Sequence, residues 1–365
     1  MIRNIKYIFI IYLLAISCSN YRVTDPFTIK NSDNSNNNNN NNNDNISIIP
    51  EYVDSQYFIK ASYTEQQIED IVNKYFKNFG KYIIFLDDTK DNIDKNKTIE
   101  TINKVVNKSA YFHNGVAVDL SRTDMTEISQ NAFKANKNLI EIKLPSSLKI
   151  INSSAFESCE RLKYINLVNS ITDIKSLAFK DCMSLEIINI TSKITTIANN
   201  SFQNCITLRE VILPEGLTSI GDSAFNYCTS LESINFPSTL QSIGIAAFYS
   251  CKSLKNIKLN QGLTTISDNA FNLCSSLTDI SLPESIKTLV NPSEGKVFSD
   301  CKMLQNVEYL GTDPVKILKE NDTFLGSPAK DLYLPNVAED PKNGSWDNFL
   351  AVAWKTIHYG KYMPK

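Results

Sequence analysis

Seven of the eight cysteines stand in one column: Cys159, Cys182, Cys205, Cys228, Cys251 and Cys274 recur every 23 residues, and Cys301 follows after 27. A zinc site needs short paired spacings such as C-x₂-C, and the chain has none. A catalytic thiol is a single residue beside a base, not a repeated one. The column therefore reads as small apolar filler. Pairing between neighbouring repeats stays open where the surroundings are oxidising. An odd number leaves at least one thiol unpaired, and mostly reduced cysteines are expected. The two histidines, His113 and His358, lie near opposite ends of the sequence, whereas a nucleophile and its base must converge. Asp87, Asp88 and Asp91 form a carboxylate group able to hold calcium weakly, but a solvated loop is the better reading. No phosphate loop, H-E-x-x-H or EF-hand loop is present. No catalytic residue, metal site or cofactor is expected, and the chain is read as a non-enzyme. A net charge of −2 carries no footprint for nucleic acid.

The elements that hold the column follow from wider periodicity. Phe133, Phe156, Phe179, Phe202, Phe225, Phe248 and Phe271 are each 23 residues apart, and the cysteines sit three residues after them, with Asn136 in the first repeat. Leu comes six residues after each Phe, Ile or Val nine after, and Leu, Ile or Phe eleven after. One coil of this length cannot enclose its own apolar side chains, so stacked coils must share one core. Positions nine and eleven point inward from a strand, and the strands align in parallel about 4.8 Å apart. The Phe-to-Cys segment opposite has the spacing of a short helix or 3₁₀ turn. Pro145, Pro214, Pro237 and Pro283 lie just past the strand, where a missing N–H breaks no ladder bond. Positions eight and ten face outward, free of core duty. On consecutive coils they carry Tyr164 and Asn166, Ile187 and Asn189, Glu210 and Ile212, and then Asn235. Tyr164, Ile187 and Ile212 are apolar where polar residues would serve, which marks the candidate binding face.

The segment Leu208-Arg-Glu-Val-Ile-Leu-Pro214, followed by Leu217, Ile220, Ala224, Phe225 and Cys228, resembles the repeat of BspA-like leucine-rich proteins. The resemblance covers about residues 120–335. It implies a solenoid fold, adhesion to host or bacterial surface proteins, and a host-associated bacterial source.

The flanks complete the expected organisation. Residues 1–17 read as a signal peptide, with Arg3 and Lys6 before an apolar stretch too short to span a membrane after processing. Leu14-Ala-Ile-Ser-Cys18 looks like a bacterial lipobox, which implies lipid on Cys18 and a membrane anchor. Residues 18–45 then form an Asn-rich tether reaching roughly 30 Å. Residues 46–119 are expected to be a small α/β N-terminal cap. Within it, Thr64 to Gln67 is a capping box, and a helical stripe from Ile68 to Phe79 ends at Gly80. A four-residue insertion falls within Val290 to Lys296. In residues 336–365, Ser345 is predicted to cap a helix carrying Trp346, Phe349, Leu350, Ala353, Trp354 and Ile357.

The expected fold is thus an α/β repeat. Its leucine-rich repeat solenoid, residues 120–335, has one short parallel strand per 23-residue coil, a small α/β N-terminal cap and a C-terminal helical cap. The expected function is non-enzymatic protein binding by an envelope lipoprotein, on the cell surface or the outer membrane. The alternative is a scaffold facing the periplasm.

Overall fold

The computed structural model describes residues 47–87, 95–108, 112, 114–289, 296–314 and 323–364. Residues 47–49 and 55–364 belong to one compact unit built on stacked coils. Phe133 to Phe324 form a single stack of rings, with centroids 5.2 to 5.4 Å apart and planes within 14° of parallel. Such spacing is an offset stack, the arrangement aromatic quadrupoles favour. The Leu and Ile columns bury beside it, and one hydrophobic cluster runs from Ile59 to Leu350.

The strands are parallel and in register. Val211 pairs with Ile234, Ile234 with Ile257, and Ile257 with Ile280. Most coils hold two strands, not one. A second ladder links Ile197, Ile220, Ile243 and Ile266. Its strands are only two residues long, with the inward Ile preceded by Ser or Thr in most coils.

Of the two forms expected for the Phe-to-Cys segment, the short helix is absent: the segment is a tight turn closed by i→i+3 bonds such as Cys159 N–H to the Phe156 carbonyl. Ser154 and Ser158, flanking Phe156, are both left-handed, and the same holds for Leu177 and Asp181 around Phe179. Left-handed backbone costs about 1–2 kcal/mol per non-Gly residue. Here it turns alternate N–H groups along the stack. Ser154, Phe156 and Ser158 donate to Ser176, Ala178 and Lys180 in the next coil. This third ladder offsets the strain and satisfies backbone groups that would otherwise be buried unpaired.

Ahead of the coils, the helix Glu65–Phe79 starts at the expected capping box and ends at left-handed Gly80. A second helix spans Lys95–Lys108. Strands Phe58–Ile59, Ile83–Asp87 and Val116–Arg122 continue the same parallel sheet into Leu139–Lys143.

The far end differs from expectation. Ser345 caps no helix: the chain makes a 3₁₀ turn at Phe349–Ala351, with Leu350 left-handed. Thr356–Tyr359 then forms a strand, and Ile357 pairs with Leu332. The apolar spacing fits a helix, but the last strand offers a row of unpaired backbone groups that another strand satisfies. Trp346 and Phe349 bury against Tyr309, so the aromatic residues still cover the core.

Candidate functional site

The cysteine column comes first, because it is the chemistry the repeat supplies most often. All seven cysteines from Cys159 to Cys301 are free and buried. Each donates its S–H to the carbonyl of the preceding coil's Phe, as Cys205 does to Phe179 at 3.2 Å and Cys228 to Phe202 at 3.2 Å. Burial pushes every thiol well up, Cys301 to about 12. The thiolate, the form that attacks or binds metal, is disfavoured throughout. Among the described residues, no three His, Cys, Asp or Glu side chains are placed to share a metal ion. His358 stacks on Tyr333 at 4.3 Å and lies 3.5 Å from Asp331. His113, Asp88, Asp91, the insertion at 290–295 and Cys18 with its leader lie outside the described residues.

The opposite wall of the coils is the outward sheet face. Ile187 pairs with Glu210 and Asn189 with Ile212, so these four predicted residues form one block. Ile187 is half-buried, Asn189 and Glu210 are exposed, and Ile212 is 46% exposed. Between this strand and the next the ladder is incomplete. Glu210 pairs with Ser233 and Val211 with Ile234, but Ile212 and Asn235 do not pair. A depression of about 520 Å3 lies there, lined by Glu210, Ile212 and Asn235 together with Arg209, Leu213 and Glu232.

Tyr164 and Asn166 sit one rung further back, beyond an interruption. The sheet stops at Tyr164–Asn166 and starts again at Ile187–Asn189. Across that seam Lys163 meets Glu186 at 3.0 Å, and Arg209 approaches the same carboxylate at 3.7 Å. The Lys163 ammonium also lies 5.1 Å over the Tyr164 ring. The Tyr164 hydroxyl, and then Glu186, hold Lys163 above the ordinary lysine value.

Arg209 and Glu232 were not among the expected site residues. Their signal is present in the sequence: seven residues after successive Phe come Lys163, Glu186, Arg209, Glu232 and Lys255, alternating in sign. Two further carboxylates mark the ends of the face. Glu141 is 5% exposed, accepting from the Ile48 N–H at 2.8 Å and from the Ser47 hydroxyl. Glu308 is 8% exposed, accepting from the Met363 N–H at 2.9 Å and the Ser281 hydroxyl at 2.6 Å. Both chain segments that flank the coils thus lie against the outward face.

Comparison with known proteins agrees with this architecture. Residues 126–241 and 218–339, together more than half of the chain, match the model of the BspA type leucine rich repeat region in six copies. A leucine-rich repeat protein from Bacteroides ovatus is similar in fold, with a TM-score of 0.51 and 24% identity over 67% of this chain and 60% of its own. This chain therefore spans about three fifths of that relative. A leucine rich cell surface protein from Faecalibacterium prausnitzii aligns at 23% identity over 68% of this chain and 79% of its own, with a TM-score of 0.39. A leucine-rich repeat protein of T. pallidum aligns at 29% identity over 44% of this chain and 71% of its own, with a TM-score of 0.36. No curated protein matches the sequence. The 23-residue columns, the stacked Phe rings and the six matched copies meet in one conclusion: the chain belongs to the BspA-type leucine-rich repeat family.

Proposed function

We propose that the chain is a non-enzymatic, lipid-anchored surface protein whose sheet face binds proteins, in adhesion to host or bacterial surface proteins. One observation carries this reading. Ile212 stands 46% exposed on a rigid sheet, at the lip of a depression shared with Glu210 and Asn235. Apolar surface rimmed by polar groups marks interaction sites, and Ile212 supplies it together with half-buried Ile187 on the preceding rung. Tyr164, Ile187, Asn166 and Asn189 extend the face over the two preceding rungs. The lipobox at Cys18 supports the anchor.

Replacing Tyr164 and Ile212 by Ser should abolish binding of whole cells to host matrix and partner bacteria while leaving the melting temperature within about 2 °C, as surface changes do. Undiminished binding would remove this face from the account. Protease shaving of intact cells should cut the chain, and resistance would place it facing the periplasm. A Cys18→Ala variant should pass from the detergent phase to the aqueous phase on partitioning.

A further inference from the structure

The face is closed at both ends, and this restricts what can dock. Glu141 on the first 23-residue coil and Glu308 near the last lie on the outward side, yet both are buried. The covers are Ser47 and Ile48 at one end and Met363 at the other. Between them six strands remain, from Tyr164–Asn166 to Asp279–Leu282. At about 4.8 Å per rung this is a window of about 24 Å. A partner lying along the whole face would have to displace both straps. A loop or chain end entering the middle would displace neither.

The centre of the window has a definite chemistry. Three charged side chains line the depression: Arg209, Glu210 and Glu232. The Arg209 guanidinium lies 3.7 Å from Glu186 on the preceding coil. Among the described residues, neither Glu210 nor Glu232 has a cation within ion-pairing distance. The depression therefore presents two unmatched carboxylates beside the exposed apolar surface of Ile212 and the half-buried Leu213. The depression lies where the Ile212–Asn235 pair is missing. Complementarity calls for a cation next to an apolar group, on a segment thin enough to enter.

We propose that the depression receives a protruding loop or chain end of a partner protein that carries Lys or Arg beside an apolar side chain. This deepens the sheet-face reading and rests on it. The partner's cation sits between Glu210 and Glu232. Its apolar neighbour covers Ile212 and Leu213.

The test is selection of a random displayed peptide library on the full chain, followed by titration of synthetic representatives. Enriched sequences should pair Lys or Arg with an adjacent apolar residue. Their affinity should fall about three- to tenfold in the double variant Glu210→Gln, Glu232→Gln, the range of two exposed ion pairs, and should fall with added salt. Both positions are exposed, so the variant should melt with the parent chain. No basic enrichment, or unchanged affinity in the double variant, overturns the proposal. Peptides that need Ile212 but ignore both carboxylates overturn the basic anchor and leave the sheet-face reading standing. Peptides indifferent to Ile212 and Tyr164 as well overturn both.

Discussion

The Phe turns and the sheet face are two walls of the same coils, and they are built on opposite rules. On the turn side every coil repeats the same residues, and the backbone ladder passes from Asn131 through Phe156, Phe179 and Phe202 without a break. On the face side each coil carries different side chains. There the ladder is interrupted between Tyr164–Asn166 and Ile187–Asn189, and again at Ile212 and Asn235. The second ladder also stops between Asp173–Ile174 and Thr196–Ile197. Repetition builds the stack and variation leaves a surface free to recognise. Energy should therefore concentrate in the first wall and specificity in the second.

Alkaline pH should break the turn side first. The sign follows from protons bound. Each buried thiol ionises far above its ordinary value of 9.0, so above that pH the unfolded chain releases protons that the folded chain keeps. The stability these thiols contribute is whole below pH 9 and is lost as pH rises toward about 12. Each thiol costs about 1.4 kcal/mol per pH unit in that window. Seven together exceed the stability of an ordinary domain. Circular dichroism against pH should show cooperative unfolding about one to two units above the ordinary thiol value. Cys228→Ala should move that midpoint upward.

Truncation contrasts the walls directly. Phe202 is fully buried and stacks on both neighbours at 5.4 Å. Phe202→Ala should cost about 3–5 kcal/mol in denaturant titration. Ile212→Ala on the same coil should cost less than about 1 kcal/mol. Equal costs would mean that the face is also structural.

The smallest effect probes the seam. Arg209, Thr218 and Gly221 each donate a backbone bond to the preceding coil, at Glu186, Thr195 and Ile197. Glu186, Thr195 and Ala198, one repeat earlier, have no such bond across the seam. Their amides should exchange with deuterium more than about tenfold faster than their counterparts. Equal rates would show that the two coils pair like the others.

Much of this was legible in the sequence, for a physical reason. A buried column is constrained by its own copies above and below, so Phe, Cys, Leu and Ile recur and announce both the stack and its inward strands. The second strand was missed because it is two residues long, with one inward Ile. The Phe-to-Cys spacing reads as a short helix or 3₁₀ turn; its i→i+3 bonds are of the second kind, and the left-handed residues escape notice because Leu177, Tyr227 and Leu273 carry no turn signal. The C-terminal helix rests on a cap at Ser345 and apolar spacing, while the open sheet edge sets the outcome at Thr356–Tyr359. On the face, Ile212 stood out as apolar among polar neighbours. Closure of that face at Glu141 and Glu308 depends on segments 93 and 55 residues away along the chain, which no local pattern records.

Alkylation of the native, unreduced protein with iodoacetamide, followed by peptide mapping before and after denaturation, tests the stacked core most directly. The expected result is no adduct on Cys159, Cys182, Cys205, Cys228, Cys251, Cys274 or Cys301 in the folded chain, and a full adduct on all seven once it is unfolded without reductant. Labelling of the folded column, or a denatured chain in which some of the seven stay blocked as bridged pairs, would contradict it.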